Sequence, residues 1–133
     1  MYQILIADDN KDFADYLATI ARGQGWIPKT CSDGIELNEI LNDCTEPVLL
    51  MVDINMPRMN GLEAIDGIST YDFPLRVRFM TGGGDTSMIA AKMIANARDV
   101  PVGRNVYKPI AKDSFISLLS AEMAELERAA PQA

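Results

Sequence analysis

Short apolar runs alternate with amphipathic stretches along this chain, and that alternation restricts the fold more than any other feature. The predicted strands are residues 3–7, 26–31, 48–52, 76–80 and 105–107. The predicted helices are residues 10–22, 35–44, 62–69, 86–97 and 112–128. Strands that alternate regularly with helices predict an α/β fold, in which helices cover both faces of a parallel sheet.

Length, composition and charge fit one globular domain. The chain has 133 residues, of which 48% are hydrophobic and 23% charged. No apolar run reaches the ~20 residues of a membrane span, and the N-terminus meets two acids where a signal peptide would be apolar. A net charge of −7 disfavours direct binding to nucleic acid or to anionic membranes. We expect one domain over residues 1–128 and a short tail over 129–133.

The cysteine and histidine content limits the chemistry of the chain. Cys31 and Cys44 form no CxxC pattern, so they predict two reduced, buried thiols in a cytoplasmic protein rather than a disulfide framework. The absence of histidine removes Ser-His-Asp and Cys-His catalysis, histidine metal sites and any phosphohistidine on this chain. Any reaction must therefore use carboxylates, hydroxyls, amines and backbone groups.

Polar residues follow four of the five predicted strands. Asp8 and Asp9 follow the first strand, Asp53 the third, Thr81 the fourth and Lys108 the fifth. Each has an ordinary interpretation by itself, as a helix-start acid, a turn former, a loop hydroxyl or a surface lysine. Because sites in open parallel sheets form outside the carboxyl ends of the strands, we expect the five side chains to converge.

Such a set of residues suits phosphoryl transfer. Three carboxylates at one edge repel one another, and Mg²⁺ or Mn²⁺ relieves that repulsion while accepting phosphate oxygens. A carboxylate beside the metal can attack phosphorus and become an aspartyl phosphate. The ammonium of Lys108, the hydroxyl of Thr81 and the backbone N–H of Gly82 can stabilise the transferring group.

Four motifs stand at these strand ends in a fixed order. They are Asp8-Asp9-Asn10, residues 52–61 (Val-Asp-Ile-Asn-Met-Pro-Arg-Met-Asn-Gly), Met80-Thr81-Gly82 and Lys108-Pro109. Together they resemble the receiver domain of two-component response regulators, from Ile4 to about Leu126. The resemblance implies a flavodoxin-like and receiver-like fold, with an open five-stranded parallel sheet in the order 2-1-3-4-5.

The resemblance also implies a role for each site residue. Asp53 is the expected phosphoacceptor. The expected ligands of Mg²⁺ (or Mn²⁺) are Asp8, Asp9, Asp53 and the backbone carbonyl of Asn55. Thr81 is the expected switch hydroxyl, and it stabilises the phosphoryl group together with Gly82 and Lys108. The Lys108–Pro109 peptide bond is expected to be cis, as is usual in this family.

The chain departs from the family pattern at three places. An aromatic residue usually lies three positions before the lysine, where this chain has Asn105; Tyr107 is either a displaced substitute in output coupling or a core residue. Glycines 82–84 replace a more common alanine-containing turn and predict a mobile loop. Arg76 and Arg78 interrupt a normally apolar strand, either at its exposed start or paired with acids such as Asp72.

The expected function is a signalling switch of a two-component or phosphorelay system. A histidine kinase or phosphotransfer protein would supply the phosphoryl group in a Mg²⁺-dependent step. Output would be contact with an unidentified downstream protein, by a monomer or weak dimer that is not an enzyme beyond its own phosphorylation and dephosphorylation. The chain is either a stand-alone regulator, which its start at Met1 slightly favours, or a receiver cut from a longer protein.

Two other functions stay open at this point. A Mg²⁺-dependent aspartyl-phosphate phosphohydrolase would have a second acid two residues after the nucleophile, where this chain has Asn55. A receiver-like adaptor that works without phosphorylation is kept open by the missing aromatic at Asn105.

Overall fold

The computed structural model describes residues 2–54, 74–82, 103–104 and 106–129. The elements within them are β1 (Gln3–Ala7), α1 (Lys11–Gly23), β2 (Ile27–Cys31), α2 (Gly34–Asn42), β3 (Val48–Asp53), β4 (Leu75–Thr81), β5 (Val106–Tyr107) and α3 (Lys112–Ala129). Each bound lies within two residues of its predicted position. The helices predicted over residues 62–69 and 86–97, and the tail from residue 130 onward, lie outside the described residues.

The five strands form one parallel sheet in the order β2-β1-β3-β4-β5. This confirms the expected strand order. All six residues of β3 are buried, since this strand lies in the middle of the sheet between β1 and β4. A continuously apolar strand is what a position covered on both faces requires.

Alternate residues of the central strands point into two separate cores, one on each face of the sheet. One core packs strand residues such as Leu5 and Leu50 against Leu37 and Leu41 of α2. The other packs the remaining strand residues against α1 and α3; its members include Ile4, Ile6, Leu49, Met51, Leu17, Phe115, Leu119 and Leu126. Helices therefore cover both faces, as the alternating pattern predicts.

Side-chain caps fix where the first two helices begin. The side chain of Asn10 accepts a hydrogen bond from the Phe13 N–H at 3.1 Å, which starts α1 directly after Asp8 and Asp9. Asp33 caps α2 in the same way, at 2.8 Å from the Glu36 nitrogen. Such caps satisfy backbone donors that the first helical turn leaves unpaired. The cap at Asn10 thereby fixes the turn that holds the two acids.

Both cysteines are free and buried, as the sequence predicts. Burial, together with the negative charges of Glu36 and Asp33, raises the pKa of the Cys31 thiol to about 12. Burial also raises the pKa of Cys44. Thiols with raised pKa values remain protonated at neutral pH and react slowly, because the thiolate is the reactive form.

The two arginines of β4 are not at an exposed strand start, so that interpretation is wrong. The strand begins at the buried Leu75, and the side chains of Arg76 and Arg78 are only 18% and 13% exposed. Both pair with an acid, which is Glu122 of α3. Asp72, the example that the sequence suggests, lies outside the described residues.

None of the helices within the described ranges is both long enough and apolar enough to cross a lipid bilayer.

Candidate functional site

The sheet brings the predicted site residues to one edge. In the parallel register Ala7 lies opposite Val52, and Thr81 lies opposite Tyr107. The residues that follow these strands therefore leave the sheet side by side. This places Asp8, Asp9, Asp53, Thr81 and Lys108 at the carboxyl edge, as expected from the sequence.

Three carboxylates form a compact cluster at this edge. One oxygen from each of Asp8, Asp9 and Asp53 lies within 4.8 Å of the others. Asp8 and Asp53 are only 1% and 4% exposed, whereas Asp9 is exposed. The cluster thus has two buried acids behind one acid that faces the solvent, which leaves a route to it from outside.

The two oxygens of Asp8 have different surroundings. Its Oδ1 accepts a hydrogen bond from the Asn10 N–H at 2.8 Å, which fixes the carboxylate against the start of α1. Its Oδ2 is buried on the side of the carboxylate that faces Lys108. The Lys108 Nζ lies 2.6 Å from this oxygen as an ion-pair partner.

Lys108 connects the acids to β4 and β5. Its backbone N–H donates to the Thr81 carbonyl oxygen at 2.8 Å, and the Lys108–Pro109 bond is cis, as expected. Its Nζ donates to Asp53 Oδ2 at 3.1 Å, close to Asp8 Oδ2. The same ammonium lies 5.3 Å from the ring centroid of Phe13, within the range of a cation–π interaction. Lys108 is therefore held over the acids by backbone, charge and ring contacts.

The ammonium of Lys108 stays charged at neutral pH. Burial by itself lowers its pKa, but contact with Asp8 and Asp53 and their negative charges outweigh burial, so the pKa is raised above its ordinary value. A raised lysine pKa gives a stabilisation that is complete below the ordinary value and is lost only as the pH rises past the raised one. The positive charge of Lys108 is therefore present across the physiological pH range.

The residues at this edge fit a hard divalent cation. They supply carboxylate oxygens only, with no sulfur or imidazole, and one oxygen from each of the three acids lies within reach of a single ion. Oxygen donors of this kind suit Mg²⁺ or Mn²⁺. The expected fourth ligand, the carbonyl of Asn55, lies outside the described residues.

Thr81 is the last residue of β4, and Gly82 follows it at the same edge of the sheet. Thr81 is 2% exposed, and its carbonyl oxygen accepts a hydrogen bond from the backbone N–H of Lys108. Gly82 is exposed, and a Cβ added there would meet nothing within 4 Å. A larger residue would therefore fit at this position without a steric clash. The predicted mobile loop continues into residues 83 and 84, which lie outside the described residues.

Tyr107 is not a core residue, so that alternative is wrong. Its side chain is 57% exposed beside Lys108. Asn105, the other residue predicted for output coupling, lies outside the described residues. Tyr107 as a displaced substitute in output coupling stays a prediction.

Two aromatic side chains of α1 contact Lys108 and the residues directly after it, and neither was predicted as a site residue. Phe13 lies under the Lys108 ammonium, and the Tyr16 hydroxyl donates to the Ile110 carbonyl oxygen at 3.1 Å. The sequence places Phe13 only on the apolar stripe of a helix. Its position one turn after the acid pair is the one signal that could have linked it to the site.

A five-stranded parallel sheet in this order, with an acid cluster and a lysine at its carboxyl edge, defines the receiver class of α/β domains. The family model described as "Response regulator receiver domain" matches residues 4–120, so the chain belongs to this family.

Individual relatives agree with this assignment. The chemotaxis protein CheY of Halobacterium salinarum is 27% identical over 90% of this chain and 98% of its own length. The transcriptional regulatory protein YesN of Bacillus subtilis is 28% identical over 96% of this chain, which spans only 34% of YesN. The Regulator of RpoS of Escherichia coli is 38% identical over 74% of this chain and 29% of its own length. The chain thus matches both a short regulator and one part of longer ones.

Solved structures show the same fold. The chemotaxis protein CheY4 of Vibrio cholerae superposes with a TM-score of 0.73, at 20% identity, over 91% of this chain and 98% of that one. A receiver domain protein of Methanospirillum hungatei gives 0.74, at 18% identity, over 96% and 98%.

Replacing Lys108 tests the electrostatics of the site. Lys108→Met removes the counter-ion of two buried acids, so we expect the free energy of unfolding without divalent cation to fall by about 1–3 kcal/mol. Mg²⁺ should then raise the melting temperature of the variant more than that of the wild type, since it replaces the missing positive charge. Lys112→Met, which removes an exposed lysine at the start of α3, is the matched control. Equal Mg²⁺ responses in all three proteins would contradict this account.

Proposed function

We propose that this protein is a phosphoacceptor switch of a two-component or phosphorelay system, with Asp53 as the residue that receives the phosphoryl group. One observation carries the proposal. A protonated lysine lies between two buried carboxylates at the carboxyl edge of the sheet, 2.6 Å from Asp8 and 3.1 Å from Asp53. That arrangement provides a nucleophile, a cation site and a fixed positive charge at one place.

The proposed reaction uses the Asp53 carboxylate as nucleophile. An oxygen of Asp53 forms the new bond to phosphorus, and the bond from phosphorus to the donor atom breaks, with its electron pair leaving on the donor. A Mg²⁺ ion held by Asp8, Asp9 and Asp53 would supply positive charge that stabilises the transferring phosphoryl group. Lys108 neutralises part of the charge of the aspartyl phosphate, and Thr81 offers a hydroxyl donor from the adjacent strand end.

The donor must be another molecule, because this chain has no histidine. A partner histidine kinase or histidine phosphotransfer protein fits that requirement, and the protein would act catalytically only on itself. We further propose that it works in the cytoplasm and that its output is contact with a downstream protein. The exposed Tyr107 lies next to Lys108 and is therefore suited to report the state of the site.

The proposal is tested by incubating the protein with a small phosphodonor, with Mg²⁺ or with a chelator, and weighing it by intact mass spectrometry. We expect a gain of one phosphoryl group that requires Mg²⁺ and is removed by neutral hydroxylamine, which cleaves acyl phosphates. A gain that resists hydroxylamine would place the group on a hydroxyl and overturn the assignment. No gain, either from small donors or from histidine-phosphorylated phosphotransfer proteins, would favour the adaptor function.

A further inference from the structure

A buried ionic cluster links β4 to α3, on the side of the sheet where β5 is the outermost strand. Glu122 of α3 is 1% exposed and forms an ion pair with the guanidinium of each arginine of β4. Its Oε1 lies 2.6 Å from the Arg78 Nε, and its Oε2 pairs with the Arg76 Nε. A carboxylate this deeply buried persists only where it is paired, so the cluster is a defined feature of the packing.

The two arginines differ in what else they contact. Arg78 also donates from Nη1 to the carbonyl oxygen of Arg104, at 3.2 Å. Among the described residues the other acid near Arg76 is Glu125, which is on α3 itself. Arg78 therefore holds the chain that leads into β5, whereas the side-chain contacts of Arg76 with the described residues are all with α3.

Gly103 allows this close approach. A Cβ at this position would lie 2.8 Å from Glu122 Oε1 and against the Nε of Arg78. Its backbone N–H donates to the Val77 carbonyl oxygen at 2.9 Å. A side chain at this position would displace the Arg78 guanidinium or the Glu122 carboxylate from the arrangement described.

The segment that Arg78 holds leads directly to the site. It is attached to β4 by the Gly103 N–H at one end and by the Lys108 N–H, which donates to the Thr81 carbonyl oxygen at 2.8 Å, at the other. Between these points the described pairing with β4 is limited to Val106 and Tyr107. The contact at Arg104 adds an attachment point ahead of this short strand, beside the direct contacts that hold Lys108.

We propose that Arg78 is a positioning residue for Lys108, acting through the Arg104 carbonyl and the segment that leads into β5. The proposal rests on the proposed function in one respect, which is that it assigns Arg78 an effect on phosphoryl transfer. Its structural content, that Arg78 orders Lys108, is independent of that function.

Arg78→Met and Arg76→Met form a matched pair for the test. Both variants remove one guanidinium from Glu122, so both are expected to unfold at lower urea concentration. We expect only Arg78→Met to increase the hydrogen exchange of the Lys108 and Gly103 amides, by about tenfold beyond any change in the β3 amides, which report global opening. The measurement uses NMR on the full chain without phosphodonor.

The phosphorylation rate supplies the second readout. At saturating phosphodonor and Mg²⁺, Arg78→Met should slow phosphorylation by about tenfold, while Arg76→Met stays near the wild-type rate. The reason is that Arg78→Met displaces the Lys108 ammonium, which acts on the transition state, so the chemical step itself becomes slower. If Arg78→Met does not fold, Arg78→Lys is used instead. The lysine ammonium can still pair with Glu122, but it lacks the second branch with which the guanidinium contacts the Arg104 carbonyl oxygen.

The outcomes are distinguishable. Equal exchange at Lys108 in the two variants would overturn the positioning role, whether or not Asp53 is phosphorylated. A difference in exchange with no phosphorylation of the wild type would support the structural link and reject the proposed function. A difference in exchange with equal phosphorylation rates would reject the effect on phosphoryl transfer.

Discussion

Asp53→Asn is expected to reduce phosphorylation by a small donor to below about 1% of the wild-type level, because an amide cannot serve as the nucleophile. The substitution is nearly isosteric, so the sheet edge and the neighbouring Asp8 keep their positions. Intact mass spectrometry after a fixed incubation with phosphodonor and Mg²⁺ measures the effect. Loss of the phosphoryl gain would locate the acceptor on a residue that is 4% exposed and 3.1 Å from Lys108.

The same chemical change at a distant acid is the control. Asp43→Asn alters an exposed residue at the end of α2 and should leave phosphorylation unchanged. Thermal unfolding of both variants checks that the fold is intact. A hydroxylamine-sensitive phosphoryl gain that persists in Asp53→Asn would show that another carboxylate is the acceptor.

Glu122→Leu is expected to lower the free energy of unfolding by about 2–4 kcal/mol. The reason is that the substitution removes the counter-ion of Arg78 and leaves Arg76 with only Glu125, at 4.0 Å. Both arginines keep some solvent contact, which holds the expected loss below that of a fully buried pair. Urea denaturation followed by circular dichroism at neutral pH gives the value.

Glu125→Leu places the same substitution one turn along the same helix. The side chain of Glu125 is 41% exposed and pairs with Arg128, so its loss should cost less than about 1 kcal/mol. Replacing the whole cluster by Met at both arginines and Leu at Glu122 should recover much of the lost stability, since apolar side chains need no counter-ion. Wild-type stability in Glu122→Leu would mean that the cluster contributes nothing.

The described fold was predictable because its signals are local. The apolar run of β3 and the acids and lysine that follow the strands are visible in order along the chain, and the parallel topology then brings them together. The capping of α1 at Asn10 is equally a matter of neighbours in sequence.

The Glu122 cluster was not predictable in the same way. Glu122 falls on the stripe that also carries Phe115, Leu119 and Leu126, where an apolar side chain is expected. Its partners are about 45 residues away in sequence, and only the packing of α3 on β4 shows that two arginines meet one acid. When charged residues of opposite sign occupy core positions in two separate elements, the sequence indicates an ion pair between those elements.

The two edges of the sheet are poor templates for another strand. At one edge β2 carries the sequence Ile-Pro-Lys-Thr-Cys, in which proline lacks a backbone donor and lysine places a charge at the rim. At the other edge the described part of β5 is two residues long. The described edges therefore offer little backbone for strand pairing between copies, so contacts between copies at these edges would rest on side chains, which a substitution or a modification can change without disturbing the sheet.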